Sequence, residues 1–298
     1  MILRKKILFT GGSGLLALNW ANQVRNDFDV VLGLHEREIN INGVESLKIS
    51  IDSEKEFVKN IENIKPDLVV HTAGMTNVDQ CEAFPELASK INFEGAKITS
   101  DVCQKNNIDL IFISTDHLFD GSVPNVSETY AKNPLNCYGR TKSLGEDYIN
   151  LHNPNALIIR TNFFGWGTSY RQSFSDFVID NLKKGNSITL FNDVFYTPIL
   201  IDTLVETIMA LYKKNASGIF NVVGNDRISK LEFGLEVAKV FELNKSKIFI
   251  GRLKDRLDLV LRPLDMSLSN SKVKRFLNKD ISTINDQIQI LKSQYNGI

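Results

Sequence analysis

Cysteine is scarce: Cys81, Cys103 and Cys137 are the only three in 298 residues, far apart and never in a Cys-x-x-Cys pair. That excludes a disulfide framework and points to reduced thiols in a cytoplasmic protein. A charge excess of either sign is also lacking, since 35 basic and 35 acidic side chains give a formal net charge of zero. With no long Lys/Arg run, neither a nucleic acid nor an anionic membrane surface is an expected partner. No apolar run approaches the roughly 18 to 20 residues of a bilayer span. The basic start followed by apolar residues to Leu18 copies the outline of a signal peptide, but Gly11, Gly12, Ser13 and Gly14 interrupt it, so it reads as the first strand and turn of a fold. No His/Cys/Asp/Glu cluster has transition-metal spacing, and no metal is expected. What is present is a 43% hydrophobic content, enough to build a core and too much for bulk disorder. Small-molecule chemistry is the default that remains.

Short apolar runs separated by amphipathic stretches predict parallel strands at 7–10, 30–34, 47–51, 68–72, 110–114 and 157–160. Between 86 and 106, Leu87, Ala88, Ile91, Ala96, Ile98, Val102 and Cys103 fit the buried face of one crossover helix. Right-handed crossovers assemble such units into an α/β, doubly wound parallel sheet of Rossmann type, whose ligands sit beyond the carboxyl ends of the strands. After Gly165 the rhythm changes to aromatics and Asn/Lys loops, with helices expected at 199–211, 229–241 and 284–294 and a returning strand at 218–223. The expected division is a dinucleotide-binding domain over 1–164 plus about 197–225, and a smaller C-terminal α/β substrate lobe over about 165–196 and 226–298.

The first strand runs into Gly11-Gly12-Ser13-Gly14-Leu15-Leu16-Ala17. Glycines permit a tight turn whose bare N–H groups approach a pyrophosphate, and the following helix adds about half a positive charge at its N-terminus. These residues are candidates to hold a dinucleotide. The second strand ends in His35-Glu36-Arg37 rather than in a lone acid. His35 and Arg37 suit a 2′-phosphate, which favours NADPH, with NADH as the alternative.

Tyr138-Gly139-Arg140-Thr141-Lys142 places a phenol and an ammonium at i and i+4 on one helix face. A phenol titrates near pKa ~10, and a neighbouring ammonium is expected to lower it towards acid–base use at neutral pH. The apolar stretch Ile111-Phe112-Ile113 ends in Ser114-Thr115-Asp116, so Thr115 lies at the carboxyl edge of the sheet. There its hydroxyl can hydrogen-bond a carbonyl oxygen on which negative charge develops.

Taken together, these residues resemble the extended short-chain dehydrogenase/reductase superfamily, and more narrowly the dTDP-4-dehydrorhamnose reductase family. The resemblance is sharpest in Ala73-Gly74-Met75-Thr76-Asn77-Val78-Asp79, in Ser114-Thr115-Asp116-His117-Leu118-Phe119-Asp120-Gly121, and in Asn133-Pro134-Leu135-Asn136-Cys137-Tyr138-Gly139-Arg140-Thr141-Lys142. Later echoes are Tyr196-Thr197-Pro198 and Arg262-Pro263. The resemblance implies that Thr115, Tyr138 and Lys142 are the catalytic set. It implies hydride transfer from NADPH to the C4 carbonyl of a nucleotide-linked 6-deoxy-hexulose, with Tyr138 delivering the proton. It places Asp52 beside the adenine, and Ala73, Gly74, Met75, Asn162 and Phe163 along the cofactor, with Asn92 a further carry-over. Thr76, Val78, Asp116, His117, Trp166 and Arg262 would face a nucleotide-sugar substrate.

The chain departs from the family where His117 stands in place of the usual tyrosine, and at Asp193-Val194-Phe195-Tyr196-Thr197-Pro198. Sugar-nucleotide dehydratases of similar layout carry Asp-Glu after the strand-end threonine, because eliminating water needs an extra acid and base. Here the pair is Asp116-His117, which favours simple reduction. Two alternatives stay open: an epimerase using the same Thr, Tyr and Lys, and a cofactor-bound regulatory subunit similar to the methionine adenosyltransferase β subunit. A homodimer is compatible with the sequence, which does not fix the oligomeric state.

Overall fold

Buried apolar runs form the centre of a seven-stranded parallel sheet in the computed structural model, which describes residues 4–295; residues 1–3, at the head of the basic start, and 296–298 lie outside the described residues. Its strands are β1 (Lys6–Thr10), β2 (Asp29–Leu34), β3 (Glu45–Lys48), β4 (Leu68–His71), β5 (Asp109–Ile113), β6 (Leu157–Arg160) and β11 (Gly218–Asn221), in the order β11-β6-β5-β4-β1-β2-β3. Six of the seven follow the predicted runs closely. The fold is the doubly wound α/β sheet expected from them. Because β1 sits between β2 and β4, the strand order reverses there, and a crevice opens above Thr10 and His71.

One predicted strand, 47–51, is shifted. β3 ends at Lys48, but the Ile49 amide still donates to the Leu34 carbonyl at 2.9 Å. The reason is packing: Gly33 leaves the hole that the Ile49 side chain fills, and a Cβ on Gly33 would lie 2.1 Å from Ile49 Cδ1.

Helices cover both faces of the sheet. α1 (Leu15–Val24) and α8 (Ile201–Lys213) pack on one face through Trp20, Ala21, Leu204 and Ile208. On the other lie α2 (Glu54–Ile64), α5 (Gly95–Lys105) and α6 (Cys137–His152), through Phe57, Ile61, Ala96, Val102 and Ile149. The helix expected over 86–106 runs without interruption from Pro85 to Lys105, as α4 (Pro85–Ser89), a π-helical turn Lys90–Glu94 and α5, with α3 (Val78–Ala83) before it; what needs correcting is its buried face. The extra residue in the π turn rotates what precedes it, so Leu87 is 47% exposed rather than buried.

A second core gathers Phe164, Val178, Leu190, Tyr196, Phe233, Val237, Ile288 and Leu291. It is built from β7 (Phe163–Phe164) paired with β10 (Ile199–Leu200), α7 (Phe174–Lys183), β8 (Ile188–Phe191) paired with β13 (Ile248–Gly251), β9 (Phe195–Tyr196) paired with β12 (Ile228–Ser229), α9 (Lys230–Val240) and α11 (Ile284–Tyr295). The helix expected from 199 begins at Ile201 because Ile199 and Leu200 are taken by the β7 pairing. α9 begins after Ser229, which caps it reciprocally with Glu232. α10 (Ser271–Leu277) packs against the edge strand β11. Among the described residues no helix is long and apolar enough to cross a membrane.

Candidate active site

β1 delivers the chain into Gly11 at φ +66°, the left-handed region that glycine tolerates. A Cβ there would lie 2.7 Å from Ala73 Cα, so the turn is pressed onto the loop after β4. Gly12 serves a different purpose from the one expected. Its N–H donates to Gly33 O at 2.9 Å and its missing Cβ admits Leu32, so it fixes the turn against β2 and does not line the crevice. α1 then starts from Gly14 with no side-chain cap and no acid in its first turn. An uncapped helix N-terminus beside Gly11, Ser13, Gly14, Leu15 and Leu16 fits a pyrophosphate in both charge and donors.

The crevice is a cavity of about 550 Å³. It runs from this turn past Ala73, Gly74 and Thr76 to Ser114, Thr115, Asp116, His117, Tyr138 and Lys142, with Thr161, Asn162 and Phe163 opposite and Arg37, Tyr170, Arg171 and Gln172 at its rim. The three expected catalytic residues therefore share one cavity with the glycine turn.

Helix α6 sets this geometry. Asn136 caps it by accepting the Gly139 N–H at 2.9 Å and donates to the Leu261 carbonyl. Gly139 allows the helix to sit against the chain at His117, where a Cβ would fall 2.3 Å from the carbonyl oxygen. Tyr138, Lys142 and Glu146 then follow at four-residue intervals on one buried face. Glu146 is fully buried and meets Arg160 on β6 at 2.6 Å, accepts Ser114 Oγ–H at 2.7 Å, and pairs with Lys132 at 3.1 Å. Burial alone would raise its pKa, but the charges and hydrogen bonds of Arg160, with Lys132 and Ser114, hold the carboxylate below its usual range.

The ammonium of Lys142 donates to the Ile113 carbonyl at 2.8 Å and lies over the Phe112 ring. Burial lowers its pKa to about 8, against an opposing pull from Glu146. The phenol of Tyr138 departs from expectation: burial pushes it well above its ordinary value, only partly offset by hydrogen bonding with Thr115 and by the Arg171 charge. Lys142 turns to the β5 carbonyl instead of to the phenol, so it does not produce the lowering expected from i, i+4 spacing alone.

Thr115 Oγ1 donates to Asp116 Oδ1 at 3.2 Å, and Asn162 Nδ2 donates to Asp116 Oδ2 at 2.6 Å. The His117 ring packs edge-on to Tyr138 with centroids 5.4 Å apart, and its enclosed Nδ1 has no partner among the described residues. Burial lowers its pKa. Thr161 Oγ1 and the Tyr196 hydroxyl are likewise buried and without a partner among the described residues. Near them Lys230 stands over the Tyr196 ring at 3.5 Å, its pKa lowered to about 8 by burial, with the Asp116 charge opposing.

Several expected site residues lie elsewhere. Trp166 donates its indole N–H to Leu291 O at 3.0 Å and packs on Phe241 and Tyr295, so it belongs to the second core and does not reach the cavity. Val78 is buried with Cys81, Ala88 and Cys137 beneath Tyr138. Arg262 is paired with Asp79 at 2.5 Å, tying the 259–264 loop to α3. His35 is exposed beside Glu36, outside the cavity. Asp52 is half-exposed and bound to Lys90 at 3.1 Å, also off the cavity wall. Met75 borders a neighbouring hollow with Thr76 and Ile91. Asn92 is not on a solvated face: it is buried in the π turn, accepts the Met75 N–H at 2.7 Å, and donates to Met75 O and Thr141 Oγ1. It thus ties the loop after β4 to the helix carrying Tyr138.

Tyr170 and Arg171 went unnoticed in the sequence. They sit on a tight hairpin whose only local mark is the Thr168–Arg171 pairing, and their partners, Ser13 and Thr76, are 157 and 95 residues away.

A glycine-rich first turn, a reversing parallel sheet, and Thr115, Tyr138 and Lys142 on one cavity define an oxidoreductase of the extended short-chain dehydrogenase/reductase superfamily. Residues 5–295 match the family model described as the RmlD substrate binding domain, and the chain belongs to that family. It is similar to the probable low-salt glycan biosynthesis reductase Agl14 of Haloferax volcanii, 28% identical over 96% of this chain and 97% of the relative. It is similar to the crystal structure of a hypothetical dTDP-4-dehydrorhamnose reductase from Sulfolobus tokodaii, with TM-score 0.83 and 30% identity over 95% of this chain and 98% of that one. The dTDP-4-dehydrorhamnose reductase from Bacillus anthracis, solved in complex with NADP, shares the fold with TM-score 0.86 at 20% identity over 98% of this chain and all, 100%, of that one.

Proposed function

We propose that the chain reduces the C4 carbonyl of a nucleotide-linked 4-keto-6-deoxy sugar, using NADPH in preference to NADH. The observation that carries the reading is the convergence of Tyr138, Thr115 and the glycine turn on one cavity. Membership in a family with sugar-nucleotide reductases, and the NADP bound by the Bacillus anthracis relative, support it. When bound, the nicotinamide supplies the hydride.

The protein's own residues supply the rest. A reductase needs a proton donor that starts protonated, and burial keeps the Tyr138 phenol so. Thr115 offers its hydroxyl to the carbonyl oxygen as charge grows there, once it turns from Asp116. Lys142, which lines the same cavity, holds the ribose hydroxyls once its ammonium turns from the Ile113 carbonyl. Ser13, Gly14 and the uncapped start of α1 hold the pyrophosphate. Arg37, which has no carboxylate partner among the described residues, meets the 2′-phosphate. His117 and Thr161, which line the cavity, lie beside the sugar, and elements of the second core form the substrate lobe. The setting is the cytoplasm, consistent with three free thiols.

The test is stoichiometric. Purified protein is offered NADPH and a panel of nucleotide-linked 4-keto sugars, and loss of nicotinamide absorbance is followed against product. One equivalent consumed per product is expected. Product without net consumption indicates epimerisation, and no turnover with any member of the panel indicates a binding module; either overturns the reading.

A further inference from the structure

The hairpin that joins β7 to α7 crosses from the second core to the cofactor side of the cavity. Its base is fixed: Thr168 and Arg171 exchange backbone hydrogen bonds at 2.9 and 3.2 Å, and the Gly167 N–H donates to Asp176 Oδ2 at 2.9 Å. Gly167 cannot carry a side chain, because a Cβ would lie 2.3 Å from Arg171 O. At the tip, the Tyr170 hydroxyl donates to the carbonyl of Ser13 at 3.0 Å, in the glycine turn itself. The Tyr170 ring lies 3.8 Å from the Arg37 guanidinium carbon. Arg171 Nη2 donates to Thr76 Oγ1 at 2.6 Å, which pins the other side of the tip to the loop after β4.

Arg37 is exposed at the end of β2, and an unrestrained arginine there would sample many rotamers. Stacking on an aromatic face removes that freedom without using its in-plane N–H donors, which stay available to a phosphate. We propose that Tyr170 is a positioning residue for cofactor choice: from the second core, it holds Arg37 where the adenosine 2′-phosphate reaches it. This rests on the reading of Arg37 as the 2′-phosphate residue.

The experiment measures Kd for NADPH and NADH by fluorescence titration, with 2′,5′-ADP against 5′-ADP as a competing pair, in wild type, R37A, Y170A, Y170F and R37A/Y170A. Arg37→Ala is expected to cut the NADPH/NADH preference about tenfold or more. Tyr170→Ala should cut it about two- to fivefold, as suits an exposed cation–π contact. Tyr170→Phe should keep the preference, since it retains the ring and loses only the Ser13 hydrogen bond. The double variant should match R37A, because Tyr170 acts through Arg37. If Y170A weakens both cofactors equally, or lowers the preference further in the R37A background, the hairpin merely closes the cleft and the proposal fails. A wild type and R37A that behave as expected, with an unmoved Y170A, also defeat it while leaving the Arg37 reading intact. A wild type with no preference for NADPH removes both.

Discussion

Glu146 and Arg160 meet at 2.6 Å in the interior, and Glu146 sits one helical turn after Lys142. The ion pair pins the helix that carries Tyr138 onto strand β6. Removing one partner strands a buried charge, so Arg160→Met should cost about 3–5 kcal/mol of stability. Urea unfolding measures it, and a loss below ~1 kcal/mol would show that the pair bears little of the fold.

Tyr138→Phe removes the phenolic proton that the proposed reduction transfers while keeping the ring against His117. Turnover should fall by about 10²- to 10⁴-fold with cofactor Kd unchanged. Single-turnover kinetics beside fluorescence titration separate the two quantities. Retained turnover would displace Tyr138 from the chemistry.

Lys142 sheds its proton near pH 8 in the folded protein, against an ordinary value of 10.5. If its charge serves binding as proposed, kcat/KM should decline as pH rises through about 8, and Lys142→Met should lack that limb. Stability runs the other way. Between the two values the unfolded chain binds the extra proton, so this group makes the fold more stable as pH rises from about 8 to 10.5. Thermal unfolding of wild type and K142M across that window tests the sign: the wild type should gain relative to the variant.

Gly139→Ala forces a methyl to within 2.3 Å of the His117 carbonyl. The helix must back away, at about 1–3 kcal/mol and with impaired turnover. An unchanged melting temperature together with unchanged kcat would contradict the close approach.

The strands were legible because each is an apolar run bounded by polar turns; the 157–160 run coincides with β6 residue for residue. The glycine turn, Thr115, Tyr138 and Lys142 were legible because their spacing is local and their chemistry is distinctive. What stayed hidden depends on partners remote in the chain. Trp166 carries no local mark separating a cavity wall from a core, and Leu291, 125 residues on, decides it. The upward shift of the Tyr138 phenol was hidden for a related reason: i, i+4 spacing places Lys142 on the same face, but the carbonyl of Ile113 on another strand captures its ammonium.

The π turn at Lys90–Glu94 has a consequence for insertions and deletions. One surplus residue is wound into it, so excising a single residue there would heal the helix into a regular one while swinging everything upstream by about 100°. Asn92 would lose its double grip on Met75, and the loop after β4 would slip out of phase with α6. The irregular turn therefore behaves as a gear tooth: a change of length, harmless in most surface helices, would here uncouple the Ala73–Thr76 wall of the crevice from the helix that carries Tyr138.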